Sequence, residues 1–340
     1  IKDTTTFYSS NTSDSNYKNT LKQLVLPEGY ASYYINMEYY DNIETIVMPK
    51  SYTKITYFAL NDSNSPYAKK VEELDFSAEN IDLSSCTYLR FNPREGSLKK
   101  FSIEGKTIKN SLANSTSSTG STFANILYRS SSSIGSPVEE INFNNITVDT
   151  VTKYFGCLND YNYNYPISTK GYKFIGTNMQ LLTTTRFNPI YLGDAEELDF
   201  SNSYMPNVTE MYMYHTSSGS TDLQHLKTIK LNNIIAPKLT NMSTAFAYHK
   251  KLEKVELKDF DTSKVTTMAS MFLNCEKLNS ESVDFTALNT ESVTTMADMF
   301  DGCKSMEEYP NISSFNTEKV TTMKEMFHLN DKLKSLNLTG

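Results

Sequence analysis

The sequence predicts an α/β solenoid: one right-handed array of about 12 coils, with parallel strands on one face and short helices or turns on the other. Three observations predict it. A stripe of apolar residues returns at a near-constant interval, an alternating strand motif accompanies the stripe, and the 340 residues divide into units of about 28 residues. Together they describe a single elongated solenoid over residues 1–340, irregular over 1–204 with an insertion at 110–137, and regular over 205–340.

The strand motif opens the chain in LKQLVLPEGY from Leu21 and IETIVMPKSY from Ile43. It continues in VEELDFSAENI from Val71, LKKFSIEGKTI from Leu98 and VEEINFNNI from Val138. LKTIKLNNI from Leu226, LEKVELKDF from Leu252 and LKSLNL from Leu333 follow, with less regular units near Tyr172, Ala195, Leu278 and Met306. Apolar residues alternate with polar or charged ones in each, as in a strand with one buried face. Stacked coil on coil, such strands lie ~4.8 Å apart.

The stripe is clearest in SKVTTMASMFLNCEKL, residues 263–278, where Val265, Met268, Met271 and Phe272 take offsets of zero, three, six and seven. Val293, Met296, Met299 and Phe300 repeat it, as do Val320, Met323, Met326 and Phe327. Looser copies run Leu239, Met242, Ala245, Phe246, then Val208, Met211, Tyr214, His215, and earlier Val148, Val151, Tyr154, Phe155. From 208 the starts advance by 31, 26, 28 and 27 residues, a solenoid period. These offsets put four side chains on one inward face of a short helix, which Thr262, Ser263 or Thr317 could cap.

Two of these segments, LKQLVLPEG and FDTSKVTTMASMFLNCEKL, resemble the two repeat styles of BspA-like leucine-rich repeat bacterial surface proteins. The second is similar to the style F-N-T-x-x-V-T-x-M-x-x-M-F-x-x-C, with Asp261 in the place of its Asn. The resemblance is clearest over 205–340, weaker over 20–110 and blurred between 110 and 200. It implies a leucine-rich-repeat-like solenoid on the bacterial cell surface, extracellular and often an adhesin for host proteins or other cells. The chain starts without Met or a basic-then-apolar leader, so it reads as a mature or trimmed fragment whose anchor lies outside it.

Composition removes several function classes. Thirty-two basic residues against 39 acidic ones, a formal charge of −7 and no basic run of five argue against nucleic acid. No stretch of about 18 apolar residues is present, so no membrane insertion is expected from this fragment. Met-rich stripes suit membrane helices, but their polar faces carry Thr, Ser and mixed charge rather than a basic band. Cys275 and Cys303 fall at the same place in consecutive coils, where free buried thiols are expected, although a disulfide is geometrically conceivable. Cys86 and Cys157 stand alone, and His215, His225, His249 and His328 are scattered, so no metal site and no cofactor are expected.

The candidate binding residues are tyrosines and carboxylates. Tyr161, Tyr163 and Tyr165 alternate in NDYNYNYP, and Tyr30, Tyr33, Tyr34, Tyr39 and Tyr40 crowd the link between the first two strand motifs. Exposed tyrosines offer large contact area at small entropic cost; the alternative is that they fill core or cover coil edges. Residues 114–137, with NSTSSTGST and RSSSSIGSP, read as a projecting low-complexity loop. Asp75, Asn142, Asp199, Glu256, Asp284 and Asn337 line outward strand positions, either as a solvated face or as a docking stripe, with Asp199 and Glu256 the chosen contacts.

No phosphate loop, nucleophile elbow or triad stands out, and no enzyme activity is expected. The leading reading is a monomeric adhesin docking a host surface or matrix protein, or a glycan, through its strand face or loops. A structural stalk is the second reading. A glycan-active solenoid is the third, since two carboxyls ~5–9 Å apart could hydrolyse a glycan.

Overall fold

Each strand motif contributes one inward residue between two outward ones. Leu74, Phe101, Ile141, Ile229 and Val255 sit centrally in strands Glu73–Asp75, Lys100–Ser102, Glu140–Asn142, Thr228–Lys230 and Lys254–Glu256. All five are at most 2% exposed. These strands join Ser168–Lys173 and Asp194–Asp199 in one seven-stranded parallel sheet. Its register superposes the inward residues, Leu74 on Phe101, Phe101 on Ile141 and Ile229 on Val255. The computed structural model describes residues 5–8, 21–37, 43–60, 71–86, 88–91, 98–109, 140–149, 168–179, 185–187, 189, 194–213, 225–308 and 312–336. Among them every strand pairing is parallel.

The other walls are shorter. Thr5–Tyr8, Tyr33–Asn36 and Thr53–Leu60 run side by side, and Thr53–Leu60 also pairs Ile81–Asp82 and Tyr88–Phe91. Two-stranded ladders pair Gln23–Val25 with Thr45–Val47, Thr107–Lys109 with Thr147–Asp149, and Arg186–Phe187 with Glu210–Met211. The fold is a parallel β-solenoid, and two expectations are corrected. Among the described residues the only helix is the 3-10 turn Phe285–Ala287, so the array is not α/β. The tally of about 12 coils is not supported either, since the longest continuous ladder joins seven strands.

The stripe does face inward. Val265, Met268, Met271 and Phe272 are all 0% exposed, as are Val293, Met296, Met299 and Phe300. What carries it is a chain of turns. The N–H of Val265 donates to the Thr262 carbonyl, Met271 to Met268, Cys275 to Phe272 and Leu278 to Cys275, each a three-residue span. The alternate N–H groups leave the coil: Met268, Ser270, Phe272 and Asn274 donate to the carbonyls of Thr295, Ala297, Met299 and Asp301. A helix would have consumed those donors internally.

The geometry is made possible by left-handed residues. Ser270 and Asn274 have φ of 56° and 57°, and Thr244 and Tyr248, Asp298 and Gly302, and Glu325 and Leu329 repeat the pair. Left-handed backbone in non-glycine residues costs about 1–2 kcal/mol each, offset here by the coil-to-coil bonds that the N–H groups of Ser270 and Asn274 make to Ala297 and Asp301. The expected cap is also different. Thr262 Oγ1 accepts from the N–H of Asn289 at 2.8 Å and donates to the Asn289 carbonyl at 3.0 Å, so it bridges to the next coil rather than starting a helix.

Aromatic stacks thread the interior. Phe58, Phe76, Phe101, Phe143, Phe174 and Phe200 follow one another at centroid spacings of 5.0, 6.2, 5.9, 4.9 and 4.8 Å. Phe246, Phe272, Phe300 and Phe327 do the same at 5.2, 5.7 and 5.4 Å. Beside them Cys275 and Cys303 are free, buried thiols. Each donates to a carbonyl of the preceding coil, Cys275 to Phe246 at 3.0 Å and Cys303 to Phe272 at 3.3 Å. Burial pushes the Cys303 thiol up to about 12 and raises that of Cys275 well above its usual value, which keeps both protonated as donors.

Candidate interface on the strand face

The outward residues of the seven-stranded sheet form two parallel rows, because side chains two apart in a strand share a face. One row holds Glu73, Lys100, Glu140, Glu197, Thr228 and Lys254; the other holds Asp75, Ser102, Asn142, Lys173, Asp199, Lys230 and Glu256. Charges pair diagonally across neighbouring strands, Lys173 with Glu140 at 3.3 Å and Lys230 with Glu197 at 2.9 Å. Lys254 pairs with Glu256 in its own strand at 2.8 Å. Such half-exposed pairs add little stability, about 0–1 kcal/mol each, and act mainly on register and on what can dock.

Local electrostatics favour the charged forms of Lys230 and Glu256. Burial works against the Lys230 charge, but the hydrogen bond to Glu197 and the charges of Glu197, Asp199 and Glu256 outweigh it and hold its pKa above the usual lysine value. The hydrogen bond from Lys254, partly opposed by burial, and a second from Asn232 Nδ2 at 2.9 Å hold Glu256 below the usual carboxylate value.

At Lys254–Glu256 the ladder stops. Val255 makes only an isolated bridge to Val283, and the chain then enters the turn Phe285–Ala287, where Asp284 accepts from the N–H of Thr286 at 3.0 Å. Between this turn and the last strand opens a groove of about 800 Å³. Asn232, Lys254, Glu256, Asp261, Glu281 and Asp284 are among its lining residues, with Phe260 and Ala287 supplying apolar wall. Bonds from the Ser263 backbone and side chain lower the Asp261 pKa. Charged groups around an open, partly apolar depression suit a polypeptide partner better than an enclosed small molecule.

The expected site residues separate. Glu256 lies on the strand face and lines the groove. Asp199 is on the same face but only 8% exposed, and its Oδ1 accepts from the N–H of Ser201 at 2.9 Å, a corner bond that Asp75 repeats with Ser77 at 2.8 Å. Asp75 and Asp199 stand four strand steps apart in the sheet, roughly 19 Å at 4.8 Å per step. That is too far for the paired-carboxyl geometry of glycoside hydrolysis.

Tyr33 is fully buried and its hydroxyl donates to the Pro27 carbonyl, so it fills core and is not available to a partner. Tyr34 is half-buried and stacks on Tyr57 at 4.2 Å. Tyr39, Tyr40, Tyr161, Tyr163, Tyr165, Cys157, Asn337 and the loop at 114–137 lie outside the described residues.

Two features escaped the sequence reading. Gly105, Asn145, Gly176, Asn202, Asn233 and Asp259 all have positive φ at the same corner after successive strands. Gly, Asn or Asp at a fixed offset from each strand motif is a signal that could have found this corner. The second is Lys106, which is 7% exposed, with its Nζ donating to the carbonyls of Ala78 at 2.7 Å and Ile81 at 2.9 Å. Among the described residues no three His, Cys, Asp or Glu side chains come together as metal ligands, and no helix is long and apolar enough to cross a membrane.

Comparison with known proteins bears on the Met/Phe coils. No curated protein and no solved structure matches the chain. Residues 240–339 match the model of a family described as "Mycoplasma protein of unknown function, DUF285", and over that stretch the chain is similar to that family.

Proposed function

We propose that this chain is a binding module of a bacterial surface protein, an adhesin that docks a host surface or matrix protein through the strand face and the groove at its end. One observation carries this reading: the ion-paired outward rows run along a rigid parallel ladder and end at an open, charged groove containing Glu256. Solenoids present extended rigid surfaces of this kind. The resemblance to BspA-like repeat proteins supplies the extracellular setting, and the Mycoplasma family match over 240–339 is compatible with a bacterial source.

The test is saturable binding of the purified chain to cultured host cells and immobilised matrix proteins, compared with Glu256→Lys and Asp284→Lys variants. Charge reversal at the groove should weaken binding at least ~10-fold, with the larger part in the association rate as salt is lowered. Absence of saturable binding, or binding indifferent to both variants with folding intact, overturns the reading.

The regularity of the last coils favours a second reading, a structural stalk. The four-bond pattern from Met268, Ser270, Phe272 and Asn274 recurs from Met296, Asp298, Phe300 and Gly302. For a stalk, removing two coils would change only the reach of an attached domain.

A further inference from the structure

From Lys100–Ser102 to Thr228–Lys230, the corner after each strand of the seven-stranded sheet is tied to the next coil by two backbone bonds. Phe200 and Asn202 donate their N–H groups to the carbonyls of Lys230 and Asn232, and Leu231 and Asn233 donate to those of Glu256 and Lys258. The three interfaces before these do the same, from Ile103 and Gly105, Phe143 and Asn145, and Phe174 and Gly176. The donors stand two residues apart and so do the acceptors, as on the facing edges of a parallel pair.

The series breaks after Lys254–Glu256, inside the chain, with coils on both sides of the break. Leu257 and Asp259 occupy the donor places, and Asp259 has the φ of 55° found at Asn233. Among the described residues, however, neither N–H has an acceptor. The bridge of Val255 to Val283 puts Asp284 opposite Glu256 and Thr286 opposite Lys258, so the carbonyls due at these donors are those of Asp284 and Thr286. The Asp284 carbonyl accepts instead from the N–H of Ala287 at 3.2 Å, inside the turn Phe285–Ala287. With that turn formed the acceptors are missing, and the groove that opens in their place is lined by Leu257 and Asp259 among others. Five carboxylates line it, those of Glu256, Asp259, Asp261, Glu281 and Asp284, against the two lysines Lys254 and Lys258. Lys254 is engaged with Glu256 at 2.8 Å, so the groove carries an excess of negative charge.

We propose that the gap takes an extended cationic segment of the partner polypeptide, added as a short strand to the Leu257–Asp259 edge; this rests on the reading of the groove as the docking site. Two backbone carbonyls of the segment, two residues apart, meet the N–H groups of Leu257 and Asp259, as Glu256 and Lys258 meet Leu231 and Asn233 within the solenoid. Its Lys or Arg side chains meet the surplus carboxylates. Backbone bonds give such an added strand its grip, and the charges select its sequence. A second copy of this chain, at a formal charge of −7, fits the groove poorly.

The experiment uses the whole chain and residue-resolved amide hydrogen exchange, with a capped peptide of about six residues alternating Lys and Thr as the probe. In the free chain the amides of Leu257 and Asp259 should exchange at least ~10-fold faster than those of Leu231 and Asn233. Excess peptide at low ionic strength should slow the first pair at least ~10-fold, and added salt should reverse this. A peptide alternating Glu and Thr should leave them unchanged. So should one alternating Lys and Pro, which keeps the charge but turns its carbonyls with the three-residue period of polyproline II. Glu281→Lys, at an exposed side chain, should fold normally and reduce the protection at least ~3-fold. The proposal is overturned if the amides of Leu257 and Asp259 are already slow in the free chain, or if the Lys and Thr peptide leaves them fast, so that water alone fills the gap. It is equally overturned if either control peptide protects as well, or if Glu281→Lys changes nothing. Host-cell binding that is lost in Glu256→Lys, with no protection by the peptide, removes strand addition and leaves the adhesin reading standing. Protection by the peptide without host-cell binding removes the adhesin reading and leaves strand addition standing.

Discussion

Lys106 shows how far a single interior residue can set the pH response of a coil. Its place in the turn is held in neighbouring coils by Ile146, Thr177, Ser203 and Ile234. Burial lowers its pKa from the ordinary 10.5, against the pull of Asp82, Asp75 and Glu79. The unfolded chain therefore binds the proton more tightly than the folded one. Stability from this group should rise as pH climbs through the folded pKa toward the unfolded value of 10.5, and then level off. The check is the melting temperature of wild type and Lys106→Met across neutral to alkaline pH, where the difference should move in the wild type's favour as pH rises. A difference independent of pH would mean that Lys106 is not buried as a cation. Gly302 makes a steric case. Its φ is +74°, and a Cβ there would lie 2.5 Å from Asn274 Oδ1 in the preceding coil. Gly302→Ala should lower stability by about 1–2 kcal/mol, read from the denaturant midpoint. In an Asn274→Ala background the added cost of Gly302→Ala should be smaller than in wild type, because the clash with Asn274 Oδ1 is gone while the left-handed strain at 302 remains.

Among elements, the Met/Phe turn is held by packing more than by its visible hydrogen bonds. The exposed Thr column donates side chain to backbone from coil to coil, Thr266 to the Thr240 carbonyl at 3.1 Å and Thr294 to the Thr266 carbonyl at 3.0 Å. These bonds compete with water, so Thr294→Val should cost no more than about 1 kcal/mol. Phe272, fully buried and stacked between Phe246 and Phe300, is different. Phe272→Ala should cost about 3–5 kcal/mol, and equal losses in chemical denaturation of the two variants would contradict this ranking. The same turn explains what the sequence could and could not say. The inward direction of Val265, Met268, Met271 and Phe272 was legible, because apolar spacing reports burial whatever the backbone does. Helix against turn was not, since offsets of three and four residues fit an α-helix and also successive turns with three-residue bonds. The deciding left-handed residues in these coils include Thr244, Tyr248, Glu325 and Leu329, types with no preference for that conformation. At the candidate site, Glu256 was legible as an outward residue of a strand. The groove beside it was not, because it arises where the pairing of Val255 with Val283 shrinks to one bridge.

On the scale of the molecule, the solenoid is a stack in which backbone bonds and aromatic contacts run from each coil to its neighbours. Val265, Val293 and Val320 begin equivalent coils, and the bonds leaving Met268, Ser270, Phe272 and Asn274 are those leaving Met296, Asp298, Phe300 and Gly302. Stability in such an array is close to a sum of coil and interface contributions. Removing residues 266–293, 28 in all, joins Val265 to Thr294 and brings the coil ending in Asp301 directly against Thr240, Met242, Phe246 and Tyr248. Donors, acceptors and Phe stack then meet in register, so this shortened chain should fold and melt cooperatively with a lower denaturation midpoint and a smaller m-value. Removing only residues 266–279 instead joins Val265 to Ser280 and sets turn residues where inward Met and Phe are required. That variant should expose the region from 280 onward to proteolysis and rapid amide exchange, while the seven-stranded sheet before it stays protected. If the 28-residue deletion behaved like the 14-residue one, the coil would not be the unit of construction, and the equivalence of successive interfaces would be geometric likeness without energetic consequence.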